Sequence, residues 1–482
     1  METPKRGREG ADEESPGKSP RVEAAADVPP VVLGAEQQAA LDFILAGQSM
    51  LITGCAGTGK STLLRAAIDA LRAKYGEEES PGQVVVTAST GQAASQFRGG
   101  TTINSYLGYG IAHQTGAVKA RILGKAKGKA GSPFENLRTL FIDEGFMISA
   151  EVMDGVDQAF RVMRHRFRDP FGGVQVIVIG DVLQLAQING SPMWEAKVWP
   201  HLRDSVVYLG EVFRQADMTF VSLLERARVG SVTQADVAIL NARVARAPPD
   251  APILHPYRKR VDQTNAERLA ALPYDDVTFV ATDKMGCTQP CAPEELESMR
   301  DGLNKTARLP PKIALRPCAR VALTSNLSVE LGLTNGRMGT IVGFSQDAEG
   351  NAPVVRFDHG LVKRIAPIEA VTESAPVPRG AGKKAAVFKL TRKQIPLRLA
   401  WAITVHGAQG ESLDRAHLDL AGVFANGQAY VSLSRLRSLD GLSLEHRVTP
   451  RAFFQSPRAK EVDTDLRQAW QRRRGGSGGR AP

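Results

Sequence analysis

Short β-branched apolar runs recur along the chain and are separated by stretches of helical period. Met50–Thr53, Val84–Thr87, Leu140–Ile142, Val174–Ile179 and Val206–Leu209 read as buried strands. Helical stretches follow them, the clearest over Thr62–Tyr75. Alternation of this kind predicts a parallel sheet with helices on both faces. The pattern breaks near 245–256, where Ala and Pro collect, and changes over 318–365. There, short strands alternate with turns such as Thr334-Asn335-Gly336-Arg337, which predicts a small all-β unit. The αβ pattern returns at Leu399–Val405. Two α/β sheet domains are therefore expected, the second carrying a β insert.

Length agrees with this division, since 482 residues at about 150 per domain give roughly three units. Residues 1–30 are polar and rich in Pro, with charges of both signs, and are expected to form a disordered tail. Pro4-Lys5-Arg6 and Lys18-Ser19-Pro20-Arg21 within it raise the expectation of nuclear import, with mitochondrion or cytoplasm as alternatives. Residues 457–482 are expected to form a basic, flexible tail. No apolar run approaches the roughly 20 residues of a membrane span. Four cysteines in so long a chain do not make a disulfide framework, so all are expected as free thiols. Lys plus Arg is 61 against 51 Asp plus Glu, a net charge of +10 that favours a polyanionic partner.

The chemistry begins at Gly54-Cys55-Ala56-Gly57-Thr58-Gly59-Lys60-Ser61, which follows an apolar strand and opens the helix from Thr62. Glycines at these positions let backbone amides turn around a phosphate, and the helix N-terminus adds partial positive charge. Lys60 is placed to reach the β- and γ-phosphates of ATP, and Ser61 to ligate Mg²⁺. The strand Leu140–Ile142 ends in Asp143 and Glu144, one to hold Mg²⁺ and the other to activate water. The next strand runs into Gly180-Asp181-Val182-Leu183-Gln184, with Gln184 placed to sense the γ-phosphate or its water.

Taken together, these residues resemble the PIF-type helicases of superfamily one. The likeness runs from about Gly34 to Leu442, with motifs in the family's order. It implies two RecA-like P-loop domains with parallel sheets, 1A over 31–212 and 2A over 213–317 and 396–456. It also implies a small wedge-like insertion at about 98–132 and an SH3-like domain, 2B, over 318–395. The activity implied is ATP-dependent unwinding of DNA by 5′-to-3′ translocation on a single strand, with forked duplex as partner and a monomer when free. Leu33-Gly34-Ala35-Glu36-Gln37 resembles the adenine-reading segment, implying Gln37 on the base, and Thr62 and Gly410 join the nucleotide set. Phe213-Arg214-Gln215 and Tyr430-Val431-Ser432-Leu433-Ser434-Arg435 imply two arginine fingers, Arg214 and Arg435. DNA contacts are implied at Thr90, Asn104, Ser105, Asn326 and His406.

The chain departs from the family's pattern at Gly145, Asn104-Ser105, Ala186-Gln187 and Gly407, where the family usually has a Lys. These changes bear on DNA grip, so a translocating ATPase with little unwinding is a second expectation. A catalytically weak DNA-binding protein and a small-molecule kinase are alternatives from other classes. Basic residues Lys119, Arg121, Lys125, Lys127 and Lys129 are candidates for phosphate contact, and Phe97, Tyr106 and Tyr109 for base stacking or core packing.

Overall fold

The computed structural model describes residues 32–76, 82–94, 96–107, 136–185, 190–213, 217–249, 251–307, 309–328, 331–347, 350–373 and 386–476. Arg214, Ala186-Gln187, Tyr109, the basic stretch 119–129 and the expected tail 1–30 lie outside the described residues.

The first lobe is built on six strands: β1 (Met50–Gly54), β2 (Val84–Ala88), β3 (Thr101–Thr102), β4 (Thr139–Asp143), β5 (Gln175–Gly180) and β6 (Val206–Leu209). They are parallel and lie in the order β3-β2-β4-β5-β1-β6. β1, β4 and β5 are buried along their whole length, which is why their sequences are continuous apolar runs instead of alternating ones. Helices α1 (Ala35–Leu45) and α2 (Lys60–Tyr75) cover the sheet through Ala40, Ile44, Leu63, Leu64, Ala67 and Leu71. Because all strands point the same way, the loops after β1, β4 and β5 emerge along one sheet edge.

Ahead of β5, the segment Pro170–Gly173 makes a tight reversal. Phe171 is buried with φ 52° and its amide donates to Asp157 Oδ1 at 2.6 Å. A Cβ on Gly172 would stand 2.3 Å from Phe160 O, so this position has room only for glycine.

A second parallel sheet forms the second lobe, in the order Ala402–Thr404, Ile253–His255, Ala416–Leu418, Leu442–Leu444. Its core takes in Phe220, Leu223, Leu254, Ile403, Leu418, Tyr430, Val431 and Leu444. Ala56 and Leu185 of the first lobe belong to the same apolar cluster, so the lobes share a packed joint.

The β unit is larger than expected. Its five-stranded antiparallel sheet runs Val362–Arg364, Gly350–Phe357, Met338–Asp347, Arg320–Leu323, Leu397–Leu399. Thr282–Cys287 joins Phe388–Gln394 and Ile368–Glu373 in a further sheet, and Val277–Val280 pairs with Lys312–Leu315. Thr282–Cys287, expected in the second α/β domain, thus pairs with Phe388–Gln394 of the β unit. Buried Arg392 ties these pieces together through Asp283, Asn304 and the Leu309 carbonyl. Cys287 and Cys291 are joined as a disulfide, which corrects the expectation of four free thiols; Cys55 and Cys318 are free.

The expected flexible tail is corrected as well. Pro457–Gly476 is a helix, and Ala459, Val462, Leu466 and Trp470 are buried in the first lobe's core. The basic residues that suggested a solvated tail occupy the other face of an amphipathic helix, whose apolar stripe was masked by them. No helix among the described residues is long and apolar enough to cross a membrane.

Candidate nucleotide site between the lobes

Gly54 (φ 152°), Gly57 (φ 90°) and Gly59 (φ 74°) carry the chain from β1 into α2. A Cβ on Gly54 would meet Leu209 O at 2.4 Å, and one on Gly59 would meet Gln37 Nε2 at 2.1 Å. Among the described residues, the amides of Gly57, Thr58 and Gly59 have no protein acceptor. Lys60 Nζ donates to the carbonyls of Gly54 (2.8 Å) and Cys55 (2.7 Å), and burial lowers its pKa. Ser61 and Thr62 follow at the head of α2, both half-buried. Thr58 Oγ1 donates to Cys55 O, and burial pushes the Cys55 thiol up. Free amides, a half-buried cation and a helix N-terminus at one point fit the phosphates of a nucleotide.

Gln37, expected on the base, is 4% exposed and braces the phosphate loop. Its Nε2 donates to Thr58 O and Gly59 O, while its Oε1 accepts from the Gly34 amide. Phe213, whose amide donates to Gly57 O, lies beside the same loop with its ring half exposed.

Asp143 and Glu144 stand at the C-terminal end of β4. Asp143 Oδ1 accepts from the Glu144 amide, and burial together with Glu144 pushes its carboxyl up to about 7. A buried and a half-buried carboxyl side by side, with Ser61 at the head of α2, suit a divalent cation, which restores the ionised form by its own charge. Glu144 adopts φ 49°, and its Oε2 accepts from Gln409 Nε2. Burial raises its pKa, while Arg435 and Lys60 pull it back. Gly145 is also explained: a Cβ there would stand 2.4 Å from Val178 Cγ1, so the β-branched residue usual in the family has no room.

The second lobe completes the site. Gln409 Nε2 lies 3.3 Å from Glu144 Oε2 and 3.4 Å from Gln184 Oε1, joining three motifs across the joint. Arg435 is 2% exposed and donates to Val431 O, Glu411 O and Ser434 Oγ, so its own lobe holds the guanidinium in place. Burial lowers its pKa and the charge of Glu144 raises it, which places the two groups in one electrostatic site.

A further network escaped the sequence reading. Tyr430 Oη accepts from the Ala56 amide (2.8 Å) and donates to Asp181 Oδ2 (3.0 Å), linking the second lobe to the phosphate loop. Asp181 also accepts from Arg228, at 2.8 Å from Nη2, and Arg228 donates to Asp463 at 2.7 Å. Asp463 accepts from Tyr208 Oη at 3.0 Å. Burial alone would raise Asp181, but Arg228 and Lys60 hold it below the usual carboxylate range. The signal available was Asp181 itself, a charged residue directly after a fully apolar strand; its partners are 47 and 249 positions away. Tyr430→Phe is expected to retain the fold and lower ATP turnover about tenfold. Removing the hydroxyl leaves the Ala56 amide unpaired, at about 1–3 kcal/mol. Steady-state phosphate release measures this, and unchanged turnover would show the hydroxyl to be dispensable.

The expected DNA contacts lie on separate elements of the two lobes and the β unit. Thr90 Oγ1 accepts from the Ala93 amide, while Asn104 and Ser105 are exposed on the short helix Ile103–Tyr106. Asn326 is exposed and accepts from the Asn335 amide, which fixes the Thr334–Arg337 turn of the β unit. His406 is half-buried and its pKa is lowered by burial. Phe97 is core and Tyr106 half-buried. Gly410 (φ 83°), expected on the nucleotide, accepts from Gln96 Nε2 through its carbonyl. A cleft of about 930 Å³ opens there, lined by Arg65 and Gln96 of the first lobe, Gly410 and Arg415 of the second, and Asn335 and Arg337 of the β unit.

With this geometry in view, comparison with known proteins is direct. Residues 32–236 match the PIF1-like helicase family. The chain is similar to that family over this span. It is 38% identical over 419 residues to the mouse ATP-dependent DNA helicase PIF1, covering 85% of this chain and 59% of that protein. The human counterpart is 36% identical, with 60% of its length covered. The chain thus spans about 60% of the length of these PIF1 relatives. The crystal structure of Pif1 helicase from Candida albicans superimposes with a TM-score of 0.77 at 28% identity, covering 90% of this chain and 100% of that one. A Bacteroides Pif1 bound to ssDNA shares the fold, at 24% identity and a TM-score of 0.66, with 92% and 98% covered.

Proposed function

We propose that this PIF1-like chain is an ATP-dependent DNA helicase that moves 5′ to 3′ on a single strand and opens forked duplex. The observation that carries this is the meeting of Glu144 and Gln184 from one lobe with Gln409 from the other, with Arg435 beside them. A hydrolytic site divided in this way is complete only while the lobes are closed, so turnover and domain motion are coupled. The names of its PIF1 relatives support the same reading.

In this reading the amides of Gly57–Gly59 and Lys60 hold the phosphates, and Ser61 with Asp143 holds Mg²⁺. The ion, when bound, neutralises charge on the phosphate oxygens. Glu144 orients water and accepts its proton; burial raises its pKa, while Arg435 and Lys60 offset part of that rise. Arg435 stabilises the charge that develops on the γ oxygens, and Arg214 is proposed as its companion. Arg65, Arg337 and Arg415 in the cleft, with Thr90, Asn326 and His406, are proposed to hold the strand mainly by its phosphates. The β unit, SH3-like by resemblance, closes over that strand.

Matched 5′-tailed and 3′-tailed duplexes test the proposal. The expected result is ATP-dependent opening of the 5′-tailed substrate alone. Opening of the 3′-tailed one alone would reverse the polarity. Translocation without opening supports the second reading, a translocase with little unwinding. Gly407 favours that one, since its amide is tied to Thr404 Oγ1 and no lysine reaches toward DNA from this position.

A further inference from the structure

The second lobe carries a separate cluster at the C-terminal ends of three adjacent parallel strands. His255 ends Ile253–His255, Asp419 follows Ala416–Leu418, and Glu445 follows Leu442–Leu444. One ligating atom from each lies within 4.8 Å of the other two. His255 Nδ1 is 3.4 Å from Asp419 Oδ2 and 3.8 Å from Glu445 Oε2. A tetrahedral site with bonds of about 2.0–2.1 Å has edges of about 3.3–3.4 Å, so small side-chain adjustments bring the three onto one ion.

The other polar atom of each residue is already engaged. His255 Nε2 lies 3.2 Å from Thr264 Oγ1, and Asp419 Oδ1 accepts from the Ala421 amide at 3.2 Å. Glu445 Oε1 accepts from Arg260 Nη2 at 3.2 Å, with His446 Nε2 at 3.7 Å. Outer partners of this kind orient the ligands of a metal. Glu445 Oε2 is the exception, being buried with no hydrogen-bond partner among the described residues. An anionic oxygen withdrawn from water without a donor is unfavourable unless a cation meets it. His255 does not meet that need, because a hydrogen on Nδ1 is directed to the nearer Asp419 oxygen.

We propose that His255, Asp419 and Glu445 bind one divalent transition-metal ion of the zinc class. One imidazole nitrogen and two carboxylate oxygens suit Zn²⁺ or Mn²⁺ better than Mg²⁺ or Ca²⁺, which take oxygen ligands alone. The ion ties three strands of the second lobe together. The strand of His255 also pairs with Ala402–Thr404, which leads into the turn bearing His406 and Gln409. The metal therefore stiffens the sheet beneath the cross-lobe contact.

The full chain, stripped with chelator and passed through gel filtration, is loaded with ZnCl₂ or MnCl₂ alone, and bound metal is counted by elemental analysis. One zinc per chain is expected, with a melting temperature that rises to saturation. Glu445→Gln, at a partly exposed position, should fold and lose the zinc. Thr264→Ala should weaken zinc affinity by about 10–100-fold. Asp143→Asn, in the nucleotide site, should keep the zinc and so excludes binding there. Wild-type protein without stoichiometric metal, or equal loading of wild type and Glu445→Gln, overturns the proposal and leaves a His–Asp pair.

Discussion

Arg435→Ala is expected to lower DNA-stimulated ATP turnover by about 10³–10⁵-fold, with nucleotide affinity nearly unchanged. The magnitude is that of an arginine brought to the γ oxygens as charge develops there. Affinity should hold because the phosphate loop, built in the other lobe, binds the nucleotide without it. The structure adds a reason to expect the upper part of that range. The guanidinium is buried and held by Val431 O, Glu411 O and Ser434 Oγ, so it needs little reorganisation to act. Its charge also opposes the rise in the Glu144 pKa, so the variant shifts that pKa further up. Arg435→Lys retains charge but not the fork and should recover only part of the loss. Single-turnover phosphate release beside equilibrium binding of a fluorescent nucleotide separates the two quantities. Lost affinity with normal turnover of bound nucleotide would remove Arg435 from the chemistry.

The second large effect is on stability. Arg228→Met should destabilise the joint by about 3–5 kcal/mol, because it strands Asp181 and Asp463 in a buried site. Arg228 and Asp181 are each 1% exposed, so water cannot replace the lost partner. Asp463→Leu in the same background should recover part of the loss by removing one of the stranded charges. Urea unfolding followed by fluorescence reads this out, and a midpoint unchanged from wild type would show that the triad contributes nothing. Three separate pieces meet at Arg228: the loop after β5, the second lobe's helix Met218–Val229, and the helix Pro457–Gly476. That helix therefore belongs to the coupling between lobes as well as to the core.

The nucleotide half of the site was legible because its chemistry is local. Gly54 to Ser61 needs eight consecutive residues, and Asp143-Glu144 two, placed by an apolar strand whose burial its composition announces. The two-lobe division was legible for the same reason, since strand and helix periods are properties of neighbouring residues. The pairing of Thr282–Cys287 with the β unit was not, because its partner Phe388–Gln394 lies about a hundred positions later. The helix Pro457–Gly476 was misread as a tail because its apolar positions stand among many charges and only a partner sheet shows which face is buried. Gln37 shows a third limit. A motif can name the residue, but whether its amide faces a base or the phosphate loop depends on a backbone brought from 21 positions away.

From its order of residues alone, this protein is committed to two parallel α/β lobes and to a phosphate loop backed by paired acids. Each of these rests on contacts within a few residues or on periodic burial. Tertiary packing alone decides that Gln409 reaches Glu144 and that Tyr430 reaches Ala56. It also decides that Arg228 is shared by Asp181 and Asp463 and that His255, Asp419 and Glu445 converge. Such contacts join residues tens to hundreds of positions apart, where the ordering entropy is offset only when whole sheets dock.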